Sequence, residues 1–286
     1  MKARDLKYIA LAVCAIVLVG LFAYLRVGGL LGGWDGMIPS EPSEYPLPRY
    51  PDDGALIDIR YPDKAWSKML LHMMEEGPLT LPKDFDTGLA PPPANDSLTT
   101  RADLDAMLEM QKTERTPETV AAIEIENQPP NPCWFFTEHR LMDRHDYEKF
   151  KLVFYVVRDV SYFLLRDKYK FERARPTQLE PRLTHVIPIP AHGSYPSGHA
   201  GQSWAAALVL AAVDPAHAED YKKLAIQIAH HREVAGLHYP GDSEAGRLLA
   251  TNTVAALMKT ERIKKLFDRA VEEQQDKTEI HWWNRF

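Results

Sequence analysis

Three groups of side chains in the second half of the chain have the types and spacing to hold and transfer a phosphoryl group: Lys168 with Arg175 and Pro176, then Pro196-Ser197-Gly198-His199, then Arg232, His238 and Asp242. A phosphoryl group in transfer spreads negative charge over three equatorial oxygens, so catalysis is mostly positioning and fixed positive charge. Lys168, Arg175 and Arg232 can supply that charge, the arginines as planar forks that grip two oxygens and the lysine as a point charge. Ser197 and Gly198 add donors. The run that follows, with Ala200, Trp204, Ala207, Leu208 and Ala211, predicts a tight turn opening a helix. The unpaired N–H groups and positive dipole end of that helix would face the anion.

A two-step transfer also needs a group that attacks phosphorus and one that protonates the departing alkoxide. His238 precedes Asp242 by four residues, close enough for the carboxylate to accept from one ring nitrogen and leave the other aimed at substrate. That assigns His238 as nucleophile. By elimination His199 is the general acid, and afterwards the base that activates water. The scheme needs neither metal nor cofactor. Taken singly the pieces are weak, since a lysine seven residues before an arginine or a His-x3-Asp pair occurs on many solvated surfaces. Their order and combined spacing carry the reading.

The pattern Lys168-x6-Arg175-Pro176, Pro196-Ser197-Gly198-His199, Arg232-x5-His238-x3-Asp242 resembles the three-part signature shared by type 2 phosphatidic acid phosphatases, bacterial acid phosphatases and vanadium haloperoxidases. Within that superfamily it is most similar to the class A bacterial non-specific acid phosphatases, through Gly193-Ser194-Tyr195-Pro196-Ser197-Gly198-His199 and on through Trp204-Ala205-Ala206-Ala207-Leu208-Val209-Leu210. The similarity starts near Leu89-Ala90-Pro91-Pro92-Pro93 and runs to about Lys259. It implies an all-helical, metal-independent periplasmic phosphomonoesterase with a phosphohistidine intermediate, and association into oligomers. Two positions depart from the class A pattern. Ala200 stands where threonine is usual, as it often does in haloperoxidases, and His231 stands where serine is usual, which alters a supporting hydrogen bond. A vanadate-dependent haloperoxidase and a non-catalytic, membrane-tethered phosphate-binding module are therefore the alternatives.

The remaining histidines are set aside. His192 is read as a surface loop residue, and His230 with His231 as half a metal site lacking a carboxylate or cysteine cluster at ligand spacing. The formal charge of -6 and pI near 6.0 argue against nucleic acid as a partner, so a small phosphate monoester must be caught locally. Cys14 and Cys133 are the two cysteines, and only the second lies in the catalytic part, which therefore has no internal disulfide.

Those residues need a scaffold, and the apolar pattern predicts an all-α bundle preceded by one N-terminal transmembrane helix. Residues 8–25 carry no charge and follow Lys2, Arg4 and Lys7. At ~1.5 Å per residue they reach ~27 Å, about a hydrocarbon core. Basic residues in front predict an anchor with its N-terminus in the cytoplasm and the rest outside it, a cleaved signal being the alternative; with the resemblance, this implies a bacterial inner-membrane protein with its catalytic part in the periplasm. The expected divisions are a cytoplasmic tail at 1–7, the anchor at 8–26, a Pro-rich tether at 27–98, the catalytic domain at 99–275 and a C-terminal tail at 276–286. Eleven of the 22 prolines fall between Pro39 and Pro93, which predicts an irregular, extended spacer with at most a short helix within 64–75. Thr100 and Thr116-Pro117 are expected to start helices. Tyr147, Phe150, Lys151, Phe154, Val157 and Ser161 predict one apolar face leading to Lys168. Leu224, Ile228 and Arg232 predict a stripe, after a start at Asp214-Pro215, that turns the arginine inward.

Overall fold

Ser197 is followed by a helix that is apolar on nearly every side, and such a helix must be covered all round. The structure is a computed structural model that describes residues 42–127 and 133–283. Ten α-helices occur among the described residues: α1 (Lys68–Glu76), α2 (Leu98–Thr113), α3 (Pro117–Glu126), α4 (Cys133–Glu138), α5 (Tyr147–Phe171), α6 (Pro176–Leu179), α7 (Gly198–Val213), α8 (Ala218–Val234), α9 (Pro240–Leu257) and α10 (Glu261–Trp283). No strand forms among them, as the apolar pattern predicts. The central helix is α7, packed against α5, α8, α9 and α10. Its small residues let neighbours approach closely. A Cβ built on Gly246 of α9 would lie 2.5 Å from the Ser197 carbonyl oxygen, and one on Gly201 of α7 would lie 3.0 Å from that of Gly246. The α7–α9 crossing therefore sits directly against the start of α7 and holds that end in place.

Several predicted boundaries shift for identifiable reasons. The cap of α2 is Ser97, not Thr100: the Ser97 hydroxyl accepts from the Thr100 N–H at 3.1 Å, while the buried Thr100 hydroxyl donates to the Ala94 carbonyl at 2.8 Å. The start of α3 is as predicted, with Thr116 capping and Pro117 in the first turn. Asp214-Pro215 opens a 3-10 turn, and α8 begins at Ala218. Leu224, Ile228 and Arg232 then form the expected buried stripe. Along α5 the predicted face holds at Val157 and Ser161, which are fully buried, but not in the first turns of the helix. Tyr147 is exposed and Phe150 and Phe154 only half-buried, whereas Leu152, Val153, Val156, Val160 and Leu164 are fully buried. Two apolar rows compete at this helix, and contact with α7, α9 and α10 takes the aliphatic one. The C-terminal tail predicted from residue 276 is instead a continuation of α10 to Trp283, with Lys277 paired to Asp146.

The largest correction concerns the tether. Residues 42–98 do not stand off as a spacer but lie on the helical body. Ile59, Tyr61, Trp66, Leu70 and Met73 are buried, and Ile59 joins a cluster with Leu104, Met107, Leu179 and Tyr239. Each such side chain contributes about 1.5–3 kcal/mol through apolar burial. The irregular backbone is satisfied by the body: the Tyr61 N–H donates to the Glu172 carbonyl at 2.9 Å, and the Leu79, Thr80 and Leu81 N–H groups donate to the Asp159 carboxylate at 2.5, 3.0 and 2.9 Å. Asn95, the first residue of an Asn-Asp-Ser triplet, is buried with its amide donating to the Leu56 and Ile59 carbonyls. The predicted anchor at 8–26 and the first part of the tether lie outside the described residues, among which no helix is long and apolar enough to cross a membrane.

Candidate active site

The first cluster is made by the end of α5. Glu172 takes a left-handed conformation, φ 47°, and its N–H returns to the Lys168 carbonyl, which stops the helix and turns the chain so that Arg173 and Arg175 face the same interior. Pro176 occupies the first turn of α6, where its missing N–H costs nothing, and the Gln178 side chain accepts from the Arg175 N–H at 2.8 Å. The second cluster is the start of α7. Ser197 is its N-cap residue and Gly198 its first residue, so the first N–H groups of the helix have no intrahelical partner. The Ser197 hydroxyl is buried with no hydrogen-bond partner among the described residues. The third cluster spans the end of α8 and the start of α9, where Asp242 accepts from the Tyr239 N–H at 3.2 Å. This bond ties the carboxylate to the turn that carries His238.

All eight predicted residues are brought together. Lys168, Arg175, Ser197, Gly198, His199, Arg232, His238 and Asp242 are buried, and His238 feels the charges of Arg175, Lys168 and Arg232 and the proximity of His199. His238 Nδ1 lies 3.2 Å from Asp242 Oδ2, while its Nε2 lies 3.1 Å from an Arg175 terminal nitrogen. A guanidinium can only donate, so Nε2 carries the lone pair and Nδ1 carries the proton. Lys168 Nζ donates to the Gly193 and Ser194 carbonyls at 3.0 and 2.9 Å, so it braces the signature loop as well as charging the site. Arg232 is fully buried, and its Nε has no partner among the described residues.

Burial dominates the electrostatics. It lowers the pKa of Lys168 well below its ordinary value, with Arg175 and Arg232 adding repulsion. Arg175 is pushed down to about 10 by burial, and Arg232 to about 9 by burial and then by Arg175. Burial also holds both His199 and His238 well below 6.5, helped at His199 chiefly by Arg232 and at His238 chiefly by Arg175. Three desolvated cations around one space with a single carboxylate form a site in which a bound dianion removes mutual repulsion.

Four residues outside the predicted set belong to this arrangement. Arg173 donates to Asp242 Oδ1 at 2.7 Å, both partners being buried, and lies 3.9 Å over the Tyr239 ring. Ser194 donates to Asp242 Oδ2 at 2.5 Å. His192, expected on a surface loop, is buried instead, and its carbonyl and Nδ1 lie 2.8 and 3.0 Å from one Arg175 nitrogen. Asn127 Oδ1 accepts from Arg232. The signal for Arg173 was present in Arg173-Ala174-Arg175, a basic pair around an alanine that is fully buried. Nothing local marks Asn127. His230 and His231 do have carboxylate neighbours: His230 lies between Glu114 and Glu233, at 2.6 and 3.2 Å, and His231 lies 2.8 Å from Glu126. These are ion-pair geometries, and no group of three or more metal-ligating side chains forms among the described residues. The shallow pocket of about 610 Å³ near Arg140, Arg144, Lys149 and Lys277 contains none of the cluster residues, and three of its cations are already paired with Glu138 or Asp146.

The chain is 34% identical over 82 residues to a non-specific acid phosphatase of Providencia stuartii, covering 29% of this chain and 33% of that one. It is 40% identical over 65 residues to an acid phosphatase of Zymomonas mobilis, covering 23% and 25%, and 32% identical over 88 residues to a non-specific acid phosphatase of Salmonella typhi, covering 31% and 35%. It thus spans a quarter to about a third of the length of these relatives. Among solved structures, a bacterial vanadium-dependent iodoperoxidase shares the helical fold at a TM-score of 0.52 and 19% identity, over 68% of this chain and 60% of that one. Residues 150–265, which carry all three clusters, match the PAP2 superfamily.

Proposed function

We propose that this chain is an acid phosphatase that hydrolyses phosphate monoesters through a phosphohistidine. The observation that carries the reading is the state of His238, whose Nε2 lone pair points into a group of buried cations while Nδ1 is held by Asp242. Lys168, Arg175 and Arg232, with the Ser197 hydroxyl and the first N–H groups of α7, take the phosphate oxygens. The His238 Nε2 lone pair attacks phosphorus as the bond to the leaving oxygen breaks, and His199 delivers its proton to that oxygen. Water then gives a proton to His199 and attacks phosphorus, the P–N bond breaks, and inorganic phosphate leaves. All the positive charge in this scheme comes from side chains, so metal independence is part of the proposal. Residues 8–26 as a membrane anchor, with the catalytic part in the periplasm, complete it.

The pKa directions fix the expected pH dependence. The reaction needs His199 protonated and His238 neutral. Burial lowers both, so His238 remains a nucleophile in acid, while the protonated fraction of His199 is already falling below pH 6.5. In the free enzyme, which kcat/KM reports, activity should peak below pH 6.5 and fall about tenfold per pH unit above it; an optimum above pH 7 contradicts the assignment of His199. Vanadate, which adopts the five-coordinate geometry, should inhibit competitively with phosphate, whereas chelators should leave turnover of an aryl phosphate unchanged. Loss of turnover with chelator removes the metal-free scheme. Ala200 and the shared fold keep a haloperoxidase as the second reading, and the same cations fit vanadate. Halide oxidation by the vanadate-loaded chain in excess of phosphate release would select it.

A further inference from the structure

Helix α3 ends against three groups of the site. The backbone carbonyl of Glu126, its last residue, lies near His199 and favours its protonated form. The Glu126 side chain pairs with His231 Nδ1 at 2.8 Å, and the side-chain oxygen of Asn127, the C-cap residue, lies 3.4 Å from both terminal nitrogens of Arg232. The carbonyls of a helix's last turn have no partner within the helix and sit at its negative end. That of Glu126 is therefore free to hold an imidazole N–H and favours its protonated form. Glu126 and His231 are 5% and 9% exposed, so their contact is little screened by solvent. His231 and Arg232 are consecutive on α8, and gripping one fixes the other. Ile123 of α3 packs with Val234, the last residue of α8, and with Ala235 and Leu237 just beyond it, which seats the two helices on each other. His231 is also the position where the class A pattern has serine, so this pair is a feature of this chain's own sequence.

We infer that Glu126, Asn127 and His231 form a bracket that positions the general acid His199 and the phosphate-binding Arg232. The inference rests on the phosphatase reading above. None of the three needs to touch phosphorus. Glu126 acts through its carbonyl on the direction of the His199 proton, and the Glu126–His231 pair keeps that carbonyl in place. Asn127 acts on Arg232 and so on affinity for the phosphate group itself. The bracket should matter in proportion to how much a leaving group depends on the proton from His199. Poor leaving groups such as simple alcohols depend on it strongly, and a dinitrophenolate hardly does.

The test is a series of phosphate monoesters, from 2,4-dinitrophenyl through phenyl to a simple alkyl ester, hydrolysed by the 286-residue chain and its variants. Glu126→Ala should lower kcat/KM for the alkyl ester about 30-fold and for the dinitrophenyl ester no more than about threefold, a partial loss of general-acid catalysis. Glu126→Gln, which keeps an acceptor for His231, should recover most of the difference. Asn127→Ala should raise KM and the inhibition constant for inorganic phosphate about tenfold, the scale of one weakened hydrogen bond to a charge, without changing the dependence on leaving group. Should Glu126→Ala fail to fold, His231→Ala breaks the same pair from the other side and is read in the same way. Equal losses across the series, or none, overturn the bracket while leaving the phosphatase reading intact. A native chain that releases phosphate from none of these esters overturns that reading, and the bracket with it.

Discussion

Replacing His238 by alanine should remove phosphate release almost completely, by about 10⁴-fold or more in kcat, the scale on which losing a covalent nucleophile falls. The expectation follows from geometry and not only from the presence of a histidine. With Asp242 facing Nδ1, the ring's lone pair is on Nε2, where it accepts from Arg175 until an arriving phosphate oxygen takes that N–H and leaves the lone pair aimed at phosphorus. Acid quench of the native chain after brief exposure to labelled substrate should trap label on histidine, and the label should be absent from His238→Ala. Alanine at this buried position removes an imidazole without leaving a new charge, so the variant should remain folded, as circular dichroism can show. Retention of substantial turnover by a folded His238→Ala would mean that phosphorus is attacked by another group or directly by water.

Asp242 is expected to show two separable effects. It is fully buried and accepts from Arg173, Ser194 and the Tyr239 N–H while facing His238. Asp242→Asn keeps the shape but puts an NH2 group among these donors. The imidazole then loses the partner that selects its Nδ1–H tautomer, and kcat should fall about 10³-fold, in line with loss of an orienting carboxylate. Either change removes the charge and leaves Arg173 buried without its counter-ion, which costs about 3–5 kcal/mol of stability, and Asp242→Ala also leaves Ser194 and the Tyr239 N–H without their acceptor. Thermal unfolding should therefore show both variants destabilised, Asp242→Ala the more, even where both are nearly inactive. If Asp242→Ala unfolds at the same temperature as the native chain, the Arg173–Asp242 contact does not have the structural part assigned to it; if Asp242→Asn keeps native kcat, His238 does not need the carboxylate.

Much of this site was legible before any coordinates, because its chemistry is local. His238 and Asp242 are joined by a single helix start, and Ser197 and Gly198 open α7 within two residues. Arg232 was assigned an inward direction by its spacing from Leu224 and Ile228, and that spacing holds wherever the helix packs. What was misread depends on contacts far apart in the chain. His192 looked like a loop residue because its neighbours are polar and irregular, yet Arg175, 17 residues earlier, draws its carbonyl and ring into the interior. The proline-rich stretch looked like a spacer because irregular backbone normally needs water. Here Asp159, Glu172 and Gln178 supply the acceptors and donors that water would otherwise provide.

The sequence by itself determined the helical class and pointed to the proposed reaction chemistry, since both are read from short-range spacing: the period of apolar residues, the proline and serine at helix starts, and four-residue pairs of acid and base. The tertiary structure decided which groups support that chemistry. Arg173 could become the counter-ion of Asp242 only when the end of α5 met the start of α9. Arg232 acquired its Asn127 partner only when the end of α3 came to rest beside α8. A hydrogen bond needs atoms within about 3 Å, and across 69 or 105 residues of chain it is packing that brings them there.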